Sequence, residues 1–196
     1  MTVETRCNDS KIEIRKTDGK TRSVGGYAAV FDQPADIGGY FTEVIAPGAF
    51  SASLANDIRA LVDHDTGRII GRTAANTLRV REDDKGLAVE IDLPDTGDGR
   101  DLAALIERGD LSGMSFGFTV TKQTWDETDP DNVIRTLEEI DLHEVSIVAF
   151  PAYDGTSVAL RSLEAHRKDI KTHNFSAAAR RLRMKMDLGL RSRSKA

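Results

Sequence analysis

The fold is decided by an alternating run in the second half of the chain, Leu111-Ser112-Gly113-Met114-Ser115-Phe116-Gly117-Phe118-Thr119-Val120-Thr121. Successive side chains of a β-strand point to opposite faces, so the large apolar residues share one face and Ser115 lies on the other. The flanking glycines leave room for another backbone to approach Ser115 closely. Such a hydroxyl is either a nucleophile or a small residue packed where a larger one would clash, and residue types alone favour packing.

Short apolar segments separated by turns extend on both sides of this run and predict a mainly β, α+β fold. An Asp84-Lys85-Gly86 turn predicts a hairpin, and Pro151 is expected to end the last strand. Leu102, Leu105 and Ile106 recur at helical spacing and predict a helix that closes at Gly109. Its acidic, glycine-rich entrance at 95–101 predicts a turn and N-cap rather than a calcium loop. A brief helix is predicted at 50–56 and a polar loop at 125–132; extended segments are predicted at 24–31, 40–45, 58–62, 69–71, 77–80, 87–93, 111–121, 133–140 and 142–150.

The charge of the chain changes sign near residue 160. After that residue, Lys and Arg outnumber Asp and Glu eleven to three, whereas the whole chain has a formal net charge of −5. This predicts a folded domain at 1–160 and a basic segment at 161–196 that seeks an anionic partner or the acidic body. An amphipathic helix is predicted in the basic segment, with disorder at 191–196; its apolar stripe is Phe175, Ala179, Leu182 and Met186.

Composition narrows the function classes. No apolar run is long enough to span a bilayer and the first residues lack a secretory signal, so we expect neither a membrane partner nor export. Cys7 is the only cysteine, which excludes an internal disulfide and predicts an ordinary thiol near a terminus. No histidine spacing indicates a metal site, so neither a metal nor another cofactor is expected. The acidic body argues against nucleic acid as a partner.

Two other polar side chains end or interrupt apolar segments. His64 follows the strand predicted at 58–62, where an imidazole could accept the proton of a serine hydroxyl. Glu144 lies in a mostly apolar strand, where a charge is costly unless it is paired, and pairing with His64 would fix the imidazole tautomer. A solvated loop histidine and a solvent-facing carboxylate are the alternatives. Because His143 should point to the opposite strand face from Glu144, at most one of them can belong to a site.

Although the letters around Ser115 fit the G-x-S-x-G pattern of α/β-hydrolases, a strand rather than a helix follows them, so that fold is not indicated. Seven motifs across roughly residues 10–160 instead resemble, in order and spacing, the prohead serine proteases of tailed bacteriophages. They are Gly26-Tyr27-Ala28-Ala29-Val30-Phe31-Asp32, Glu43-Val44-Ile45-Ala46-Pro47-Gly48-Ala49-Phe50, Leu61-Val62-Asp63-His64-Asp65, Ile70-Gly71-Arg72-Thr73, Lys85-Gly86-Leu87, Gly113-Met114-Ser115-Phe116-Gly117-Phe118 and Glu144-Val145-Ser146-Ile147-Val148-Ala149-Phe150-Pro151-Ala152.

The resemblance implies a β-barrel related to the herpesvirus assembly proteases, with a few surrounding helices and a basic helical tail. It implies a serine endopeptidase in which Ser115 is the nucleophile, His64 the base and Glu144 the third member. His143 remains the alternative third member, because the herpesvirus enzymes are known for a histidine there.

The resemblance also implies a task. The enzyme would cut the scaffold, or the scaffolding segment of the major capsid protein, inside the assembling prohead in the host cytoplasm. Scaffold and major capsid protein are then its partners, and a homodimer is implied by analogy. The basic tail would hold the enzyme in the shell and be removed by self-cleavage; the alternative for the tail is a solvated amphipathic helix without a partner. The alternative is a non-enzymatic capsid or scaffold component, in which Ser115 and His64 only pack.

Overall fold

The computed structural model describes residues 3–8, 12–17, 21–129, 131–149, 161–172, 175–176, 180–181 and 183–184. Contacts between Cα atoms divide the chain into two units, Met1–Thr156 and Ser157–Ala196. The first unit holds eleven described strands and one described α-helix, so the mainly β, α+β class predicted from the sequence is confirmed. Of the second unit, residues 161–172 form a helix. No described helix is long and apolar enough to cross a bilayer.

The strands of the first unit form two sheets. The larger sheet follows the path β1 (Glu4–Asn8), β10 (Gly113–Asp126), β11 (Ile134–Val148), β5 (Phe41–Ile45) and β4 (Ala35–Ile37), with β6 (Arg59–Val62) beside β11 and β7 (Asp65–Arg72) beside β6. The smaller sheet is β2 (Glu13–Thr17), β3 (Thr21–Val30), β9 (Gly86–Asp92) and β8 (Leu78–Glu82). Among the described residues, this pairing leaves two open sheets and no closed ring of strands, which differs from the implied barrel.

The long strand β11 organises the larger sheet. It pairs antiparallel with β10 along its length, whereas its other edge pairs in parallel with β5 at its start and with β6 at its end. Residues 144–147 therefore lie between β10, which carries Ser115, and β6, which leads to His64. This arrangement brings three sequence-distant segments side by side.

One hydrophobic core receives apolar side chains from both sheets. Met114, Phe116 and Phe118 contribute from β10, and Leu87, Val89 and Ile91 contribute from β9. The amphipathic helix α1 (Gly97–Arg108) adds Leu102 and Ile106. It begins after Thr96, whose hydroxyl accepts from the Gly99 amide, and ends at Gly109, whose φ of 83° suits a residue without Cβ. This part of the sequence prediction is confirmed.

A buried network of two arginines and two glutamates ties β1 to the sheet. Arg6 Nε donates to Glu43 Oε1 at 2.6 Å, and Arg135 donates to Glu4 and Glu43 at 2.9 Å. Burial raises the pKa of Glu4, but hydrogen bonds and charges of Arg135 and Arg6 outweigh it and lower that pKa overall. Likewise, burial lowers the pKa of Arg6, but Glu43 and Glu4 raise it overall. Each charge in the network is thus compensated, as burial demands.

Several local predictions are wrong. Residues 50–56 form turns and bends rather than a helix, and the two runs predicted at 133–140 and 142–150 are one strand, β11. Strand β10 continues to Asp126, into the predicted loop. The sequence patterns did not predict β1 and β2. The expectations for Pro151, Ala179, Leu182, Met186 and 191–196 lie outside the described residues, while Phe175 is exposed.

Candidate active site

His64 lies in the two-residue turn that joins β6 to β7. Asp63 and His64 both have positive φ, 49° and 59°, which suits a tight hairpin turn but is costly for residues with a side chain. Three hydrogen bonds to the end of β11 hold the turn: Asp63 N to Ile147 O at 3.0 Å, His64 N to Ser146 Oγ at 3.3 Å, and Ala149 N to Asp63 Oδ1 at 2.9 Å. The position of the imidazole is therefore set by β11.

The imidazole of His64 is oriented by a carboxylate. Its Nδ1 lies 2.7 Å from Glu144 Oε1, and Ser146 Oγ donates to Glu144 Oε2 at 2.5 Å. The His64 side chain is 31 % exposed, whereas that of Glu144 is 14 % exposed, so the carboxylate is the deeper partner. Since Nδ1 is held by Glu144, Nε2 is the nitrogen left to exchange protons.

The second partner of His64 is Cys7 on β1. The hydrogen bond with the Cys7 side chain and then the hydrogen bond with Glu144 outweigh burial, and together they raise the pKa of His64 to about 9. Cys7 lies directly opposite Ser115 in the pairing of β1 with β10. Paired residues of neighbouring strands share a sheet face, so the thiol and the Ser115 hydroxyl are on the same side.

Ser115 is fully buried between its partners on the two neighbouring strands. It pairs with Cys7 on one side and with Ser146 on the other. Its hydroxyl donates to the carbonyl oxygen of Arg6 at 2.9 Å. Among the hydrogen bonds of the described residues, none joins Ser115 to His64. The structure therefore brings His64 and Glu144 into contact and leaves Ser115 one strand away, bonded to β1.

His143 has a different hydrogen-bond partner from Glu144. Gly117 pairs with Glu144 and Phe118 with Leu142, so His143 has no partner on β10 and forms a bulge. A hydrogen bond of 2.7 Å joins its Nε2 to Thr119 Oγ1. Thr119 is on the same face of β10 as Ser115, so the expectation that His143 points away from the face of Glu144 is wrong. The reason is the bulge, which breaks the alternation of side chains.

Sequence reasoning missed two members of this cluster, Cys7 and Ser146. Ser146 follows Glu144 by two residues, so strict alternation could have placed both on one strand face. Cys7 had no such signal, because the pattern of residues 4–8 did not indicate a strand.

As for ions, the described part of the chain has no group of three or more His, Cys, Asp or Glu side chains that could hold a metal.

Comparisons with known proteins find relatives among bacteriophage proteins. The model of a family described as caudovirus prohead serine protease matches residues 10–169. A prohead protease of Enterobacteria phage HK97 is 33 % identical over 153 residues, which cover 75 % of this chain and 64 % of that protein. A prohead protease of Escherichia phage T5 is 31 % identical over 107 residues, which cover 54 % of this chain and 47 % of that protein.

Among solved structures, the capsid assembly protease of bacteriophage T4 matches 76 % of this chain and 99 % of its own length. The TM-score is 0.43 at 12 % sequence identity. The match with the first of the two relatives spans just under two thirds of that relative's length, and the match with the second spans about half.

Proposed function

The chain belongs to the caudovirus prohead serine protease family, and from this membership we propose that it is a serine endopeptidase of capsid maturation. Ser115 is the proposed nucleophile, His64 the general base and Glu144 the residue that orients the base. The observation that carries this assignment is the contact of 2.7 Å between His64 Nδ1 and Glu144 Oε1, beside the strand that carries Ser115. The relationship to the herpesvirus assembly proteases is part of the proposal.

In the proposed reaction, the Ser115 oxygen attacks the carbonyl carbon of a peptide bond while its proton moves to Nε2 of neutral His64. Glu144 then stabilises the imidazolium through Nδ1. The imidazolium returns the proton to the leaving amine, and the acyl group stays on Ser115. Water attacks that ester in the same way, with His64 again as base. Such a positioned acid and base contributes roughly 10²–10⁴-fold to the rate.

In the described conformation, Ser115 and His64 do not yet have the hydrogen bond that this reaction needs. Ser115 is buried and donates to Arg6, so its hydroxyl has to exchange that acceptor for His64 before attack. The His64 imidazole has to leave Cys7 and lose its proton. We infer that a bound substrate strand, or assembly into a shell, supplies this rearrangement. The same buried hydrogen bond favours the second candidate, a non-enzymatic scaffold component in which Ser115 only packs.

The proposed substrates are the scaffold or the scaffolding segment of the major capsid protein, cut inside the assembling prohead in the host cytoplasm. Homodimer formation and a delivery role for the basic segment 161–196 belong to the same proposal. The charge of segment 161–196 supports a role in holding the enzyme inside the shell. The segment has eleven Lys and Arg against three Asp and Glu, and would bind an acidic surface.

Coexpression with the matching capsid and scaffold proteins tests the proposal. We expect wild-type enzyme to give shells with cut subunits, and Ser115→Ala to give shells with uncut subunits, as seen by gel and intact mass. Ser112→Ala is the matched control, because Ser112 is exposed and lies three residues away on the same segment. Equal cutting by Ser115→Ala and wild type would remove Ser115 from the reaction. Uncut subunits in every sample would favour the non-enzymatic candidate.

A further inference from the structure

We propose that Ser146 is a positioning residue of the site, one that fixes the Glu144 carboxylate against the ring of His64. Ser146 is fully buried; its hydroxyl donates to Glu144 Oε2 at 2.5 Å, and the same oxygen accepts from the backbone N–H of His64 at 3.3 Å. One hydroxyl therefore bonds both the carboxylate that orients the base and the backbone of the base. The role of Ser146 in peptide cleavage rests on the proposed function, whereas these hydrogen bonds do not.

Strand pairing on both sides fixes the place of Ser146 on β11. It pairs with Ser115 of β10 and with Leu61 of β6, so it lies between the strand of the proposed nucleophile and the strand that leads to His64. Glu144 precedes it by two residues with no shift of register between them, which places both side chains on one face of the strand. The hydroxyl thus meets the carboxylate from paired backbone.

The direction of both hydrogen bonds follows from the groups that make them. A backbone N–H can only donate and an ionised carboxylate can only accept, so the one hydroxyl hydrogen of Ser146 points to Glu144 and a lone pair faces the amide of His64. The hydrogen is directed at the carboxylate rather than at the imidazole. This separates the role of Ser146 from that of a nucleophile.

The carboxylate needs a second contact to stay in line with the imidazole. The terminal torsion of a glutamate side chain has a broad energy minimum, so a carboxylate held at one oxygen can rotate away from its partner. Here Oε1 of Glu144 meets His64 Nδ1 at 2.7 Å and Oε2 is held by Ser146, so each oxygen has its own partner. The plane of the carboxylate is therefore fixed.

The turn that carries the imidazole also needs support. Asp63 and His64 have positive φ values of 49° and 59°, which are costly for residues with a side chain and persist only where neighbouring structure holds them. The hydrogen bond from His64 N to Ser146 Oγ is part of that support. Removal of this hydroxyl would release the carboxylate and the turn together.

Steady-state kinetics on the full-length protein test the role, with a peptide that spans the cut found in the coexpression experiment. We expect Ser146→Ala to lower kcat about 10–100-fold and to change KM less than about twofold, since an error of about 1 Å in a catalytic group can cost about 10²-fold. Ser146→Thr keeps the hydroxyl and should restore kcat to within about threefold of wild type. Ser53→Ala is the matched control, because Ser53 is also buried and its hydroxyl donates to Phe50 O, outside the site.

The tautomer of His64 gives a readout that loss of packing alone would not move. At a pH where the ring is neutral, the NMR chemical shifts of the two ring nitrogens report which of them carries the proton. We expect the Nδ1–H form in wild type and in Ser53→Ala, because that hydrogen is donated to Glu144. In Ser146→Ala the population should shift toward the Nε2–H form, and Ser146→Thr should reverse the shift.

A Ser146→Ala variant that is less stable but keeps both kcat and the Nδ1–H form would overturn the proposal. Circular dichroism establishes that each variant is folded; if Ser146→Thr does not fold, the comparison of Ser146→Ala with Ser53→Ala still decides through kcat and the tautomer. Abolished cutting in Ser146→Ala together with full cutting in Ser115→Ala would make Ser146 the nucleophile and also overturn it. The tautomer shift without cutting in any sample would support the positioning of His64 and count against the protease.

Discussion

The side chain of Glu144 lies over Gly117 and occupies the space that a Cβ atom at position 117 would need. A Cβ built on Gly117 stands 3.2 Å from both Cγ and Cδ of Glu144, and closer still to Oε1, the oxygen that holds His64. Gly117 and Glu144 are direct partners in the pairing of β10 with β11. The glycine is thus part of how the carboxylate reaches the imidazole.

Gly117→Ala should displace the Glu144 carboxylate and misplace His64. Since an error of about 1 Å in a catalytic group can cost about 10²-fold, we expect kcat/KM to fall by one to two orders of magnitude, roughly, with the chain still folded. Peptidase assays and circular dichroism measure the two effects. Gly97→Ala is the matched control, because a Cβ there meets nothing within 4 Å. Full activity in Gly117→Ala would show that the carboxylate is not needed where it lies.

The contacts of Glu144 and His143 predict which of them assists His64. Glu144→Gln keeps the shape of the side chain but removes the charge, so we expect kcat/KM to fall by roughly 10⁴-fold, as when an imidazole loses its carboxylate partner. His143→Ala should change kcat/KM by less than about threefold, because its imidazole bonds Thr119 instead. Steady-state kinetics on a peptide substrate compare the two variants. A larger loss in His143→Ala would reverse the assignment.

The pH dependence of activity should report the two partners of His64. The hydrogen bonds with Cys7 and with Glu144 raise its pKa to about 9, and only the neutral imidazole can accept the Ser115 proton. We therefore expect kcat/KM of wild type to rise with pH, and the midpoint of this rise to lie near pH 9. In Cys7→Ala the largest cause of the shift is gone, so the midpoint should move to lower pH. NMR titration of the His64 ring checks the same shift without activity. An unchanged midpoint would remove Cys7 as its cause.

Sequence periodicity predicted the parts of the fold that depend on local pattern. The alternation in β10, the hairpin turn before Gly86 and the helix that ends at Gly109 followed from side-chain spacing and turn chemistry. The helix predicted at 50–56 failed because a serine start and a few apolar residues also fit turns. Strand β1 was missed because its inward side chains are Glu4 and Arg6, whose partners, Glu43 and Arg135, are distant in sequence.

The same limit applied to the candidate site. His64 and Glu144 could be selected from the sequence because each polar group bordered or interrupted an apolar strand, and the structure joins them. The contact of His64 with Cys7 and the bulge at His143 could not be predicted from the sequence, since they depend on which strands pair and in which register.

The buried ion network predicts the largest stability effect of a single substitution. Arg135 is fully buried and bonds both Glu4 and Glu43, so Arg135→Met leaves two buried carboxylates with Arg6 alone. Breaking a buried ion pair from one side typically costs about 3–5 kcal/mol, because the remaining charge is uncompensated. We expect a loss of that size in the free energy of unfolding, measured by urea titration. Arg100→Met is the matched control: its partner Asp95 is exposed, and the change in stability should not be resolved. Equal stability of the two variants would mean that the network does not hold β1 in place.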